Sequence, residues 1–422
     1  MEGSIPTIED DIFDNPRLFS DICSGQGIET RAGHNLVAFL AAVQRLQIRF
    51  LPITWQQRRR LIGAGGTSQV SQGLIDAETS LAFKRVSEVD KLLKAEEDIY
   101  QCVTNEITIL RHPAIRDHPN ITQLEGICWD VSPDNPASHW KVWPVLVFEK
   151  APYSDLYHFV KLDIARELGI NDRLKLCIDI GSALAHMHVN HVIHGDIKPQ
   201  NILIFREESG AFAAKVADFG YSAWHASGSE RIELPRSWPW YAPECDEYPE
   251  FTVQQALRAD VFSFGMLCLW LLFDSYLSGA RPLPEPAQPR GWFGLDDKES
   301  LERLSVLKIR GDLSRFTTAL VTAEPGLDPS TRLMLQQFLC QSLADAPTSR
   351  PMNAQQSMEC LIAYRYKKFL YNQIVTAANG VRDKQPQVAA IEAPPPKSPI
   401  PKAHDFSVSI RLAVVVLWNL SN

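Results

Sequence analysis

The chain has 422 residues, 45% of them hydrophobic and 22% charged, which is enough apolar material for a sizeable core and a length that suggests about two to three domains. Its formal charge of −8, from 42 basic and 50 acidic side chains, argues against wholesale attraction to nucleic acid or to an anionic membrane surface. The eight cysteines (23, 102, 128, 177, 245, 268, 340, 360) form no CxxC pair and have no zinc-like spacing with histidine, so reduced, mostly buried thiols are expected. The acidic start MEGSIPTIEDDIFD lacks the basic-then-apolar run of a secretory signal. The longest apolar tracts, 412–418 and 261–273, fall short of the ~20 residues that a membrane span needs. The expectation is a cytoplasmic chain, with the nucleus as the alternative, that has no membrane span and no nucleic-acid partner.

Residues 1–33 are polar and irregular. Residues 35–50 carry apolar side chains at roughly helical spacing and predict an amphipathic helix within an extension over 1–56. From Ile53 short strands follow, ITWQQRRRLIGAGG, SQVSQGLI and TSLAFKRV, broken by Gly-rich or polar turns. A helix is expected over 91–110. Two further strands, ITQLEGICWD and WPVLVFEKA, are separated by the turn-rich DVSPDNPAS. After Asp155 the pattern becomes helical, with helices expected over 172–188, 259–273, 298–306, 329–343 and 353–374 and short strands near 192–205 and 214–217. From 367 the chain forms a C-terminal extension, partly Pro-rich (APPPKSPIPK), that need not pack.

The chemistry-bearing residues fall into three groups. In the first, Ile62-Gly63-Ala64-Gly65-Gly66 leads to Val70, and glycines there would let backbone N–H groups approach phosphate oxygens. Lys84, fourteen residues after Val70 in the apolar run LAFK, could grip phosphates if an acid held it, and Glu106 in the next helix is the candidate. Read alone, Lys84 is equally an edge-strand lysine facing water. In the second, VIHGDIKPQNILI places Asp196, Lys198 and Asn201 on a loop between apolar strands, where polar groups must be satisfied. Asp196 could accept a proton from an attacking hydroxyl, Lys198 could neutralise phosphoryl charge, and Asn201 could offer an oxygen to Mg²⁺. In the third, Asp218-Phe219-Gly220 puts a second carboxylate after another strand, and hard Mg²⁺ takes such oxygen ligands.

With HxDxKxxN and DFG in this order, the chain resembles a eukaryotic-type protein kinase over about residues 57–366. Further marks of the resemblance are Ala242-Pro243-Glu244, Asp260 in DVFSFG and Arg350 in SRP. It implies a two-lobed α+β fold, with a small antiparallel β-sheet lobe plus one helix over 57–151 and a larger, mainly helical lobe over 152–366. The activity implied is transfer of the γ-phosphoryl group of ATP, with Mg²⁺, to Ser/Thr hydroxyls of a protein substrate. On that resemblance Lys84, braced by Glu106, would hold the α/β-phosphates, Asp196 would be the base, and Asn201 with Asp218 would hold the metal. Ile62, Val70, Ala82 and Leu203 would enclose adenine. Phe148 would back the pocket, Glu149 to Ala151 would form the hinge, and Asp155 would reach the ribose. Leu110, Leu124, His194 and Phe219 resemble a stacked column. Glu244 would pair with Arg350, and Asp260 would anchor the catalytic loop.

The DxKPxN pattern and Ser237 resemble Ser/Thr rather than tyrosine kinases. Ser68 stands for the third loop glycine. Gly195 stands for the arginine that in the family grips a phosphorylated activation-loop residue, so activity that does not require that switch is expected. Trp238 and Trp240 make an unusually aromatic loop that could shape an apolar substrate pocket or pack the loop down, with packing the expectation, while Ser222, Ser227 and Ser229 are expected to be exposed hydroxyls. Two rival readings share the fold: a nucleotide-binding pseudokinase scaffold, and a small-molecule phosphotransferase of the aminoglycoside or choline kinase type, which carries HGDxxxxN.

Overall fold

The computed structural model describes residues 34–54, 61–64, 68–74, 80–87, 91, 94–135, 138–225, 231–284, 297–359 and 361. Every element below belongs to the first of the chain's two units, residues 1–368, and the second, 369–422, lies outside the described residues. So do Gly65, Gly66, the side chain of Ile62, Ser227, Ser229 and the Pro-rich extension.

Helix α1 (Leu36–Arg45) starts where the Asn35 side chain accepts the Ala38 N–H at 3.0 Å, satisfying one of the free donors of the first turn. Its apolar spacing buries Phe39, Ala42 and Val43. Strands β1 (Phe50–Thr54), β2 (Leu61–Ala64), β3 (Ser68–Leu74) and β4 (Ser80–Val86) follow. Helix α2 (Glu96–Arg111) carries Glu96, Glu97 and Asp98 in its first turn, where carboxylates oppose the positive end of the helix dipole. The short helix α3 (Pro113–Arg116) leads to β5 (Leu124–Asn135) and β6 (Ser138–Glu149). These strands form one six-stranded sheet in the order β1-β5-β6-β4-β3-β2.

The five strands of the expected small lobe, β2 to β6, pair antiparallel as expected. Two features go beyond the expectation. Strand β1, from the extension over 1–56, adds a sixth strand parallel to β5; the two are far apart in sequence, which permits a parallel crossover. The segment DVSPDNPAS, expected as a turn, continues the β5–β6 ladder as far as Asn135↔Ser138. The hairpin register that holds from Gly126 to Trp129, after an irregularity between Leu124 and Gly126, carries through residues that have little strand preference of their own.

The large lobe contains the short helices α4 (Leu156–Phe159) and α5 (Asp163–Arg166), then α6 (Ile170–Val189). Three two-stranded ladders follow: β7 (Val192–Ile193) with β10 (Ala223–Trp224), β8 (Ile202–Arg206) with β9 (Phe212–Val216), and β11 (Arg231–Ile232) with β12 (Phe251–Thr252). Helix α7 (Val253–Leu277) is capped by a reciprocal Thr252/Gln255 pair, and α8 (Asp297–Ile309), α9 (Leu313–Ala323) and α10 (Pro329–Ser342) follow. The helix expected over 353–374 is present at 354–359 and 361, with Ala354, Met358 and Leu361 buried in the core, and its remaining positions lie outside the described residues. The tract 261–273, read as too short to span a membrane, lies inside α7, which at 25 residues is long and apolar enough; 89% of its most apolar window is buried within the lobe. A helix that is hydrophobic on all sides is what a lobe centre requires. One contiguous core joins α1, α2 and the sheet to α6 and α7.

Candidate active site

Lys84 does not face water. Strand β4 is interior to the sheet, with Lys84 registered between Val70 on β3 and Leu146 on β6. An ammonium has three N–H donors, and here they reach Glu106 Oε1 at 2.6 Å, Glu106 Oε2 at 2.7 Å and Asp218 Oδ1 at 2.8 Å. Burial opposes the Lys84 charge, but the Asp218 and Glu106 carboxylates outweigh it and hold its pKa above the usual lysine range. Burial pushes the Glu106 carboxyl up although Lys84 pulls against it. Burial would raise Asp218 as well, but Lys84 prevails and holds it below its ordinary value. The result is a cation fixed between two carboxylates from two lobes.

The catalytic-loop residues converge as well. Asp196 is 5% exposed. Its Oδ2 accepts from Lys198 Nζ at 2.6 Å and from Asn201 Nδ2 at 3.1 Å, while its Oδ1 is buried with no hydrogen-bond partner. Lys198 Nζ also donates to Ser237 Oγ at 3.0 Å. Asn201 Nδ2 donates to the Asp196 carbonyl at 2.8 Å, so the amide oxygen is the atom that Asn201 can offer to a cation. Asp260 accepts the N–H groups of His194 at 2.8 Å and Gly195 at 2.9 Å and contacts His188 Nε2 at 3.0 Å, which fixes the loop from α7. His194 Nε2 meets the Ala217 carbonyl at 3.2 Å, and its ring lies 5.4 Å from that of Phe219. Leu110, Leu124 and Phe219 are buried in the same core.

The remaining nucleotide-contact candidates lie on β3, β4, β6 and the segment that follows it, and on β8. Val70 is half-buried, and Ala82, Phe148 and Ala151 are buried. Leu203 on β8 bridges to Asp155. Two candidates have partners that motif reading missed. The Glu149 carboxylate accepts from Lys215 on β9, and Asp155 caps α4 by accepting His158 N–H at 2.9 Å while holding His158 Nδ1 at 2.8 Å. Lys215 lies 66 positions from Glu149, so only the fold could reveal that pair, whereas the Asp155 cap is a local signal three residues long.

In the segment from Asp218 to Glu244, Ser222 is buried and its hydroxyl donates to the His194 carbonyl at 3.0 Å, which corrects its expected exposure: the β7–β10 pairing carries this stretch across the catalytic loop. The two tryptophans part company. Trp240 is buried as expected, whereas Trp238 is 46% exposed with its Nε1–H donated to Ser305 Oγ at 2.9 Å. Lys308, also on α8 and missed by motif reading, donates to the carbonyls of Pro239 at 2.9 Å and Tyr241 at 3.0 Å.

This arrangement of a sheet lobe, a helical lobe and a cation-centred cleft coincides with a family match. The protein kinase domain family matches residues 56–359, and the chain belongs to that family. It is 28% identical over 232 residues to the probable serine/threonine-protein kinase roco5 of Dictyostelium discoideum, covering 53% of this chain and 7% of that protein. It is 27% identical over 228 residues to an Aurora kinase of Debaryomyces hansenii, covering 53% of this chain and 47% of that one. To misshapen-like kinase 1 of Rattus norvegicus it is 30% identical over 301 residues, covering 70% of this chain and 20% of the relative. The chain thus spans less than half the length of each.

Proposed function

We propose that the chain transfers the γ-phosphoryl group of ATP to Ser or Thr hydroxyls of protein substrates. The carrying observation is the Asp196 carboxylate: one oxygen is held by Lys198 and Asn201, and the other is buried with no partner. A buried acceptor without a donor is costly, and a substrate hydroxyl placed there would satisfy it and deliver its proton to Oδ1. Lys198, bonded to Asp196 and Ser237, stands ready to neutralise charge on the moving group. Lys84 would hold the nucleotide phosphates while Glu106 keeps its ammonium in place. The Ser/Thr preference rests on the Lys198–Ser237 contact.

Mg²⁺ fits the donors present, since Asn201 and Asp218 offer hard oxygens. Among the described residues no group of three or more His, Cys, Asp or Glu forms a metal site, so nucleotide phosphates and water would complete the coordination. When bound, the ion would supply neutralisation of charge on the β- and γ-phosphates. A reducing compartment, cytoplasm or nucleus, is supported by the six described cysteines, all free thiols.

The test is incubation of the purified chain with labelled ATP, Mg²⁺ and a degenerate peptide library, with parallel aminoglycoside and choline acceptors. Label on Ser/Thr peptides that disappears in Asp196→Asn and Asp218→Asn is the expected result. Label on the small molecules alone, or nucleotide binding with no turnover, would overturn the reading.

A further inference from the structure

The family match begins at residue 56, yet the segment before it is built into the small lobe against the helix that carries Glu106. Phe39 on α1 is fully buried. Its ring lies 6.0 Å from that of Tyr100 on α2 and 6.3 Å from that of Trp129 on β5. Tyr100 is stacked in turn on Trp143 at 5.8 Å and donates its hydroxyl to the Val142 carbonyl at 3.0 Å. Beyond α1, the Arg49 carbonyl accepts the Ile127 N–H at 3.0 Å, and β1 completes the sheet edge. The site on β5 has room for this strand: a β-carbon on Gly126 would sit 2.7 Å from the Arg49 carbonyl oxygen and 2.9 Å from Leu51 Cγ.

Tyr100 and Glu106 are six residues apart, about 240° around the helix at 100° per residue. The face that receives Phe39 is therefore not the face that holds Lys84, and α2 is gripped from two sides. We infer that residues 35–54 are a built-in brace, with Phe39 a positioning residue that acts through Tyr100 to keep Glu106 on Lys84. The inference deepens the kinase reading and rests on it for its kinetic readout. Interiors pack like solids, so removing the Phe39 ring lets α2 shift or rotate, and Glu106 moves with it. Misplacement on the scale of 1 Å near reacting groups costs about 10²-fold in rate.

The test uses the full chain. Phe39→Ala should lower kcat between roughly tenfold and a hundredfold with the peptide KM unchanged, because the candidate peptide-facing residues Lys198, Ser237 and Trp238 lie on the large lobe. Amide hydrogen exchange should quicken selectively across 96–111. Phe39→Leu should recover most of the rate, Gly126→Val should reproduce the loss by displacing Arg49 and Leu51, and Val37→Ala, at a position 74% exposed, should change nothing. Unchanged kcat and exchange in Phe39→Ala would overturn the brace, as would exchange that quickens uniformly over both lobes, which marks a merely structural residue. If the unaltered chain transfers no phosphate, the function reading fails; the brace then stands or falls on whether exchange over 96–111 quickens selectively in Phe39→Ala.

Discussion

Gly195 passes directly beneath Tyr221: at φ 80° its missing β-carbon would lie 3.0 Å from the Tyr221 carbonyl oxygen and 3.4 Å from Leu234 Cδ2. The position at which the resemblance leads one to expect an arginine thus has a backbone that favours glycine and a neighbour with no room to spare. The segment beyond it is held by backbone pairing, through Ala223↔Ile193, Trp224↔Val192 and Arg231↔Thr252. Phosphatase-treated protein should therefore keep its activity. Gly195→Arg should lose roughly 1–3 kcal/mol of stability from left-handed strain and crowding without gaining dependence on phosphorylation. Denaturant melts and assays before and after phosphatase treatment check both, and a dephosphorylated chain that is silent until the segment is phosphorylated would refute the argument.

Arg350 and Glu244 form a two-pronged buried pair, with contacts at 2.6 and 3.0 Å. Arg350 also donates to the carbonyls of Ala344 at 2.7 Å and Asp345 at 2.9 Å. Removing one partner strands a buried charge, so Glu244→Gln or Arg350→Met should each cost about 3–5 kcal/mol. The double variant should lose less than the sum of the two, because no charge is left unpaired. Equilibrium urea unfolding of the four proteins reads the coupling.

What was legible in the sequence was whatever local order dictates. The apolar runs around VIHGDIKPQNILI and VADFG announced a polar loop between buried strands, and the helical periodicity of 172–188 matches α6. Helix α9 was missed: its run LSRFTTALVTA contains Thr317, Thr318 and Thr322, β-branched residues that blur a helical reading, although Phe316, Leu320 and Val321 are buried. Long-range pairings left no local mark. Lys215 meets Glu149 across 66 positions and Trp238 meets Ser305 across 67, and only the fold brings them together. Ser222 reads as one more loop hydroxyl beside Ser227 and Ser229, yet the β7–β10 pairing carries it against the catalytic loop, where it is buried.

Acid should unfold the chain earlier than its carboxylates alone require. Burial lowers the pKa of His112, His118 and His225 from 6.5 to about 4 each, and the Nδ1 atoms of His112 and His118 accept the N–H groups of Ala114 and Asn120, each at 3.2 Å. The folded state keeps these rings neutral while the unfolded chain protonates them near 6.5. Their stabilisation is whole above pH 6.5 and is lost as pH falls towards 4, at up to about 1.4 kcal/mol per pH unit for each fully buried ring. His112 and His118 are partly exposed and should show less. Melting points from pH 7 to 4 should fall more gently in His225→Gln, and parallel curves for variant and parent would remove His225 from the account.

Lys308 ties α8 to the stretch between Ser237 and Glu244. Besides its bonds to the Pro239 and Tyr241 carbonyls, its Nζ lies 3.6 Å from the centre of the Tyr241 ring. Burial lowers its pKa to about 8, against the pull of Asp246. Between pH 8 and the unfolded value of 10.5 the unfolded chain holds a proton that the folded chain has shed, so stability should rise with pH across that window. Lys308→Met should abolish this rise and leave two carbonyls without a donor, at a cost of about 1–3 kcal/mol. Because Ser237 contacts Lys198 at 3.0 Å, a loosened 238–241 stretch should raise the KM for peptide severalfold and leave the KM for ATP, set across the cleft by Lys84, unchanged. Equal changes in both constants would show that Lys308 supports the lobe as a whole rather than the substrate-facing loop.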